Sequence, residues 1–146
     1  MANLYLTVTE EITLDNNELQ KVITPITIPN INYTDVRNMN CPSGSQTTIF
    51  SLGDLPGAGT FVTSSLQYAR ITNQTSTPVK LSIEAPTSTA SFMISAYNSF
   101  YVSTSKITGS IDNSFTLEDI QNVIVEPSGS STTIEYFIAT TKIIKL

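Results

Sequence analysis

The feature of this sequence that most limits its fold is the recurrence of short segments in which apolar and polar residues alternate. In VKLSIE (79–84) the aliphatic residues share one face and the polar residues the other, because successive side chains of a strand point to opposite sides. Similar segments recur along the 146 residues, separated by clusters of Asn, Asp, Gly, Pro and Ser. We therefore expect an all-β fold, an antiparallel β-sandwich that is jelly-roll-like or immunoglobulin-like, with roughly 8–10 short strands and an extended N-terminal hairpin or arm.

Two stretches depart from this pattern. Residues 29–46 contain two prolines and several asparagines, and they are expected to form an irregular loop with one short strand near Val36. Cys41 lies in that stretch, beside a proline, and is interpreted as a loop thiol without a role. Residues 116–120 (TLEDI) are helix-like, and they predict a single helical turn that leads into a strand at 122–126.

The N-terminal part is set apart by a proline inside an apolar run. In ELQKVITPITI (18–28), Pro25 cannot donate a hydrogen bond to a neighbouring strand, which restricts this segment to an edge strand or an extended arm. We interpret residues 1–31 as an N-terminal hairpin or arm and residues 32–146 as the β-sandwich domain. The two form a single folded unit, since the length matches one domain.

The composition argues against an enzyme. The chain has no histidine and one cysteine, which removes Ser-His-Asp and Cys-His nucleophile arrangements, histidine-ligated zinc and intrachain disulfides. No phosphate-binding or calcium-binding motif is found in the sequence. We predict a protein without catalytic residues, bound metal or cofactor. A glycosidase with two facing carboxylates is the least favoured alternative.

Charge and hydropathy limit the possible partners. The net charge is −5, and the seven lysines and arginines form no basic stripe, so a nucleic-acid partner is not expected. No apolar segment approaches the ~20 residues that a membrane-spanning helix needs. The first residues lack the pattern of a secretory signal, which predicts synthesis and folding in a cytoplasm.

The segment TIEYFI (133–138) is apolar on both faces. Alternation places Ile134, Tyr136 and Ile138 on one face and Phe137 on the other. One face belongs to the core, and the second must be covered by the N-terminal hairpin, by another subunit or by a second layer of the sandwich. We therefore expect a homo-oligomer as one solution.

Three segments together resemble small structural proteins of tailed bacteriophage virions: YARITNQTSTPVKLSIEA, SFMISAYNSFYVS and LEDIQNVIVEPSGSSTTIEYFIATT. The family pattern is a strand ending in R-I-T-N, a polar turn and a V-x-L-x-I return strand. An aromatic strand follows, and the chain closes with an I-x-V strand, a Ser/Gly turn and an EYFIA strand. The opening MANLYLTVTEEITL is also similar to the starts of such proteins.

The resemblance implies a non-enzymatic component of a phage virion, made in the host cytoplasm and located in the virion. The best-fitting subclass is the capsid decoration protein, also called a cement or auxiliary protein, which bridges and stabilises capsomers. It implies the major capsid protein or other virion proteins as partners and favours a homotrimer. A tail, neck or fibre-base protein is the first alternative, and a carbohydrate- or receptor-binding β-sandwich module is the second.

Seven residues are candidates for an interface or binding surface. The arm contributes three of them and the aromatic clusters four: Pro25, Ile26, Ile28, Tyr97, Phe100, Tyr101 and Phe137. In the decoration interpretation the arm reaches onto a neighbour. In the carbohydrate-binding interpretation the three aromatic residues at 97–101 line an exposed groove.

Overall fold

The computed structural model describes residues 1–14, 17–22, 25–53, 59–111 and 114–142. The N-terminal part contains four strands, β1 (Ala2–Leu6), β2 (Thr9–Leu14), β3 (Asn17–Val22) and β4 (Ile26–Ile31). The next seven are β5 (Tyr33–Cys41), β6 (Thr47–Gly53), β7 (Thr60–Val62), β8 (Leu66–Asn73), β9 (Val79–Glu84), β10 (Thr89–Ile94) and β11 (Ser99–Val102). The last four are β12 (Lys106–Ile111), β13 (Ser114–Asp119), β14 (Asn122–Pro127) and β15 (Thr132–Thr140). No helix in these ranges is long and apolar enough to cross a membrane.

Two sheets form the sandwich, which confirms the all-β prediction. Sheet I has the order β10-β9-β14-β6-β7, and sheet II has the order β11-β8-β15-β5. All neighbours are antiparallel except β6 and β7. The remaining strands pair in three two-stranded ladders, β1 with β4, β2 with β3, and β12 with β13.

The connectivity is that of a jelly roll. Without the short β7, four strands lie in each sheet, and the chain crosses to the other sheet at nearly every connection. Only β9 and β10 are joined as a hairpin within one sheet. An immunoglobulin-like sandwich has several such hairpins in its ABED and CFG sheets. The structure therefore decides between the two architectures left open by the sequence.

The core lies between the two sheets and follows the alternation seen in the sequence. Every second residue of β9 and of β15 is buried, and their neighbours in sequence face outward. Phe50, Phe61 and Tyr136 form its aromatic centre, with Phe50 5.6 Å from Tyr136 and 6.2 Å from Phe61 between ring centroids. Each fully buried side chain of this size contributes about 1.5–3 kcal/mol to stability.

Residues 29–46 do not form the predicted loop. Their central part is β5, a nine-residue strand that pairs with β15 along its whole length. The apolar–polar alternation of β5 was hidden in the sequence, because two of the positions that face the sandwich interior are occupied by charged residues, Asp35 and Arg37. Cys41 is correspondingly not a loop thiol but the fully buried last residue of β5. Pro42 follows the end of this edge strand and Asn38 and Asn40 stand on its solvent side, whereas Pro29 lies within β4.

The predicted helical turn at 116–120 is also wrong. These residues lie in β13 up to Asp119, and Thr116, Leu117 and Glu118 pair with three successive residues of β12. Cross-strand pairing outweighs the weak local preference of a five-residue fragment. The strand count exceeds the expected 8–10, because the described residues contain 15 strands. Nine strands belong to the two sheets, and the three small ladders supply the other six.

Candidate functional surface

The two N-terminal ladders follow one another along the chain, and together we call them the N-terminal ribbon. β1 pairs with β4, and between them in sequence β2 pairs with β3, so the segment doubles back on itself. Pro25 is exposed and lies between β3 and β4, outside either strand. The proline therefore marks the point where one ladder gives way to the next, because it interrupts the backbone donors.

The ribbon packs on the outer face of sheet II. Leu4, Leu6 and Ile28 are half-buried and contact a small cluster that includes Tyr68 and Ala139. Phe137 packs against the same cluster. The second apolar face of β15 is therefore covered by the N-terminal hairpin of the same chain, which is one of the three possibilities derived from the sequence.

The ribbon also carries apolar side chains that remain exposed. They are Tyr5, Val8, Ile12 and Ile26. Ile26 lies opposite Leu6 in the ladder, on the face that is turned toward sheet II, yet more than half of its surface is accessible.

Beside the ribbon, one row of side chains crosses all four strands of sheet II. Tyr101, Arg70, Phe137 and Val36 are successive cross-strand partners, and we call them the aromatic row. Tyr101 is 56% exposed and Val36 54%, whereas Phe137 is half-buried. Tyr, Phe and Arg are residue types that supply much of the binding energy in protein interfaces.

Tyr68 links the aromatic row to the ribbon. Its ring centroid lies 6.2 Å from that of Tyr101 and 6.0 Å from that of Phe137. Burial, and then the neighbouring Tyr101, raise the pKa of the Tyr68 phenol. Tyr68 was not among the sequence candidates. The alternation in LQYARIT places it on the same outward face as Arg70 and Thr72, which was the available signal.

The three aromatic residues proposed for a sugar groove do not converge. Tyr97 is an exposed turn residue with φ of 56°. Phe100 points toward the core, and its ring lies 4.7 Å from that of Phe92. Tyr101 leaves the opposite face of β11 and contacts Tyr68. Alternation along one strand separates Phe100 from Tyr101 and prevents a shared platform.

The outer face of sheet I has a different character. Apart from the exposed Met93 and the half-buried Ile124, it carries hydroxyl, amide and charged groups, several of which bond to one another across the strands. Ser82 and Ser91 hydroxyls lie 3.1 Å apart, and Lys80 pairs with Glu126 at 3.8 Å. The two outer faces of the sandwich are therefore unequal, one polar and one rich in aromatic and aliphatic groups.

A hydroxyl-lined groove of about 430 Å³ lies where the β12–β13 ladder meets the β9–β10 turn. Its carboxylate is Glu118, which accepts hydrogen bonds from the Thr87 and Ser88 hydroxyls. These two bonds hold the pKa of Glu118 below its ordinary value, so the carboxylate is ionised at neutral pH. Gly109 forms part of the wall, where a side chain would collide with the Ser88 hydroxyl.

A second polar cluster lies at the β5 edge of the sandwich. The Tyr136 hydroxyl donates to Asp35 Oδ2 at 2.9 Å, and Arg37 Nε lies 2.9 Å from the same oxygen. Burial first, and then the Asp35 carboxylate, raise the pKa of the Tyr136 phenol. Because its pKa is raised, the Tyr136 phenol stays protonated at neutral pH, and its hydrogen bond to the carboxylate is a structural one.

In the ranges described, no three His, Cys, Asp or Glu side chains converge closely enough to hold a metal ion. No protein-family model matches the sequence, and a search of curated proteins finds no significant relative.

Proposed function

We propose that this protein is a non-enzymatic structural component of a bacteriophage virion, most simply a capsid decoration protein that bridges capsomers. The observation that carries the proposal is the inequality of the two outer faces of the sandwich. The aromatic row and the β1–β4 ladder, with its exposed Tyr5 and Ile26, lie on one side, whereas bonded hydroxyls, amides and ion pairs predominate on the other. A protein bound to a shell needs one adhesive side and one solvated side.

The residue types of the aromatic row fit this role. Aromatic side chains bury a large area with few rotatable bonds, and together with arginine they dominate the energetics of many interfaces. Arg70 is held by Glu135 at 2.7 Å, so its guanidinium is already oriented beside the two rings. A contact that is repeated many times over a shell needs only modest affinity per copy. Binding partners under this proposal are the major capsid protein and neighbouring copies, and the resemblance favours a trimer on the particle.

The first test is the location of the chain in particles. Virions of the phage that encodes it are purified, analysed by mass spectrometry and labelled with an antibody against the chain. Label over the capsid supports a decoration protein, and label confined to the tail or its fibres supports the alternative virion position. Particles that lack the chain would overturn both.

The second test is binding of purified protein to capsids that lack it. Tyr101→Asp and Val36→Asp place a carboxylate at each exposed end of the aromatic row, and we expect each to weaken binding at least tenfold. Leu117→Asp is the matched control, because Leu117 is an exposed leucine of β13 outside the row. Equal binding by all three variants would contradict the assignment of this surface.

A second candidate function is recognition of a neutral saccharide in the hydroxyl-lined groove. Threonine and serine hydroxyls together with an ionised carboxylate offer both donors and acceptors to a polyol, and jelly rolls also serve as lectin domains. Glycan-array binding that is lost in Glu118→Gln but kept in Tyr101→Ala would favour this function. Loss in Tyr101→Ala alone would instead favour the exposed aromatic residues as the glycan site.

A further inference from the structure

The four edge strands of the sandwich differ in how they are protected against pairing with other chains. β7 and β11 are short, with 3 and 4 residues. β5 is long, but Asp35 and Arg37 point inward from it, which is a common way to block strand addition. β10 is six residues long, pairs with β9 on one side and contains no charged residue and no proline. It is therefore the edge most open to another strand.

β10 also exposes large apolar side chains on both faces. Phe92, on the inner face, is 41% exposed, and Met93, on the outer face, is 61% exposed. Beside Phe92 lies an apolar groove of about 240 Å³, which is lined in part by Ala90, Phe100 and Ile107. An uncharged edge with exposed apolar groups is a ready template for β-strand pairing.

We propose that β10 pairs antiparallel with β10 of a second copy, about a two-fold axis that passes through Ser91. The two copies of sheet I then form one continuous sheet. A two-fold contact of this kind uses the same surface on both partners, so it must be self-complementary. The absence of charge on β10 removes like-charge repulsion across the axis.

The side chains of β10 complement one another in this register. Ser91 lies opposite Ser91 of the second copy. Phe92 lies opposite Ala90 of the second copy, and Met93 lies opposite its Thr89. Each large side chain thus meets a small one. Because Ala90 lines the apolar groove, Phe92 of the second copy is placed at its mouth.

Side-chain packing favours this register over the next one, and the charges of the neighbouring strand are compatible with it. Lys80 pairs with Met93 and Glu84 pairs with Thr89 across the β9–β10 ladder. Pairing about Ser91 therefore aligns Lys80 of one copy with Glu84 of the other in a single outward row. Pairing about Phe92 would lose that alignment and would bring together two rings that already stack on Phe100 of their own chain.

The test is cross-linking by a cysteine placed on the axis. The only native cysteine, Cys41, is fully buried, so a covalent dimer reports the new thiol. Oxidised Ser91→Cys is expected to form a disulfide-linked dimer rapidly, because its thiols face each other. The matched controls are Thr89→Cys on the same strand and Asn38→Cys on the β5 edge, and both are expected to react at least tenfold more slowly.

Light scattering over a concentration series provides the second measurement on the full chain. The native protein is expected to reach twice the monomer mass as its concentration rises. Ser91→Lys brings two ammonium groups together at the axis and should raise the dissociation constant at least tenfold. Equal cross-linking of the three cysteine variants, or a mass that is unchanged by Ser91→Lys, would overturn the proposal. A failure of capsid binding would leave both results unaffected, so the two proposals are tested separately.

Discussion

Tyr136 is the largest fully buried side chain among the described residues, and its hydroxyl still finds a charged partner in Asp35. A buried phenol without an acceptor would cost about 1–3 kcal/mol, and the bond to Asp35 removes that cost. Arg37 in turn balances the carboxylate. Three residues thus place a polar network at the edge of an apolar core without leaving a buried group unpaired.

Tyr136→Phe should lower the free energy of unfolding by about 1–3 kcal/mol at neutral pH, because Asp35 loses a donor. The native protein should also lose stability above about pH 10, since the unfolded chain releases the phenolic proton there while the folded chain, with its raised pKa, retains it. Urea unfolding between pH 7 and 11 measures both effects. In Tyr136→Phe the alkaline loss should be smaller, although Tyr68 will still contribute to it.

Tyr97→Phe is the control for this prediction, because Tyr97 is exposed and its hydroxyl makes no hydrogen bond in the described structure. It should leave the unfolding free energy unchanged at neutral pH. An equal loss of stability in Tyr97→Phe and Tyr136→Phe would contradict the role assigned to the buried bond.

Gly109 allows β12 to approach the β9–β10 turn closely. An added methyl group would collide with the Ser88 hydroxyl and come within 3.3 Å of Glu118 Oε2. Gly109→Ala should therefore destabilise the protein by about 1–3 kcal/mol, as overpacking does elsewhere. Gly129→Ala is the matched control, because open space surrounds that position. Urea unfolding of the two variants measures the difference, and similar values would argue against a steric role for Gly109.

At the scale of elements, the N-terminal ribbon is held by one of its two faces. Leu4, Leu6 and Ile28 contact sheet II, and Tyr5 points away from it. A two-stranded ladder is only marginally stable by itself, so the ribbon depends on this apolar contact for its position. The same contact shields Tyr68 and Ala139 from water.

Leu6→Asp should detach β1 and β4 from sheet II, because a carboxylate would be held against an apolar surface. Limited proteolysis is expected to cut the ribbon at least tenfold faster in this variant, while the sandwich remains intact. Tyr5→Asp changes the neighbouring residue on the exposed face and should leave the cleavage rate unchanged. Similar rates in the two variants would show that the ribbon is held by something other than this face.

At the scale of the whole molecule, the sandwich encloses one thiol that reports on global unfolding. Cys41 is fully buried between the sheets, and burial raises the pKa of its thiol. The thiolate is the reactive form, so both exposure and ionisation must change before the group can react. Local opening of the ribbon does not expose it, because the ribbon lies on the outer face of sheet II.

Cys41 should therefore be labelled by a thiol reagent at the rate of global unfolding, several orders of magnitude more slowly than in urea. Mass spectrometry of quenched samples follows the reaction. Leu6→Asp should leave the labelling rate nearly unchanged, whereas Phe50→Ala should accelerate it, because truncation of a buried phenylalanine costs about 3–5 kcal/mol. Rapid labelling of the native protein would contradict a closed sandwich.

The alternation of residues was enough to predict a β-sandwich and the inward faces of its strands. Val79, Leu81 and Ile83 are buried as expected, and so are the alternate residues of β15. This part of the structure is local, since the side-chain period of a strand is set by its backbone. For the same reason, the sequence alone showed that the segment TIEYFI is apolar on both faces.

Only the tertiary structure decided which strands pair and what covers each face. The pairing of β5 with β15 joins residues about one hundred positions apart, and it made a strand of a segment that looked irregular. The N-terminal ribbon covers Tyr68, and Glu118 binds the Thr87 and Ser88 hydroxyls, although nothing near these residues in sequence indicates it. Periodicity specifies a face, but the partner of that face is selected by the burial of the whole chain at once.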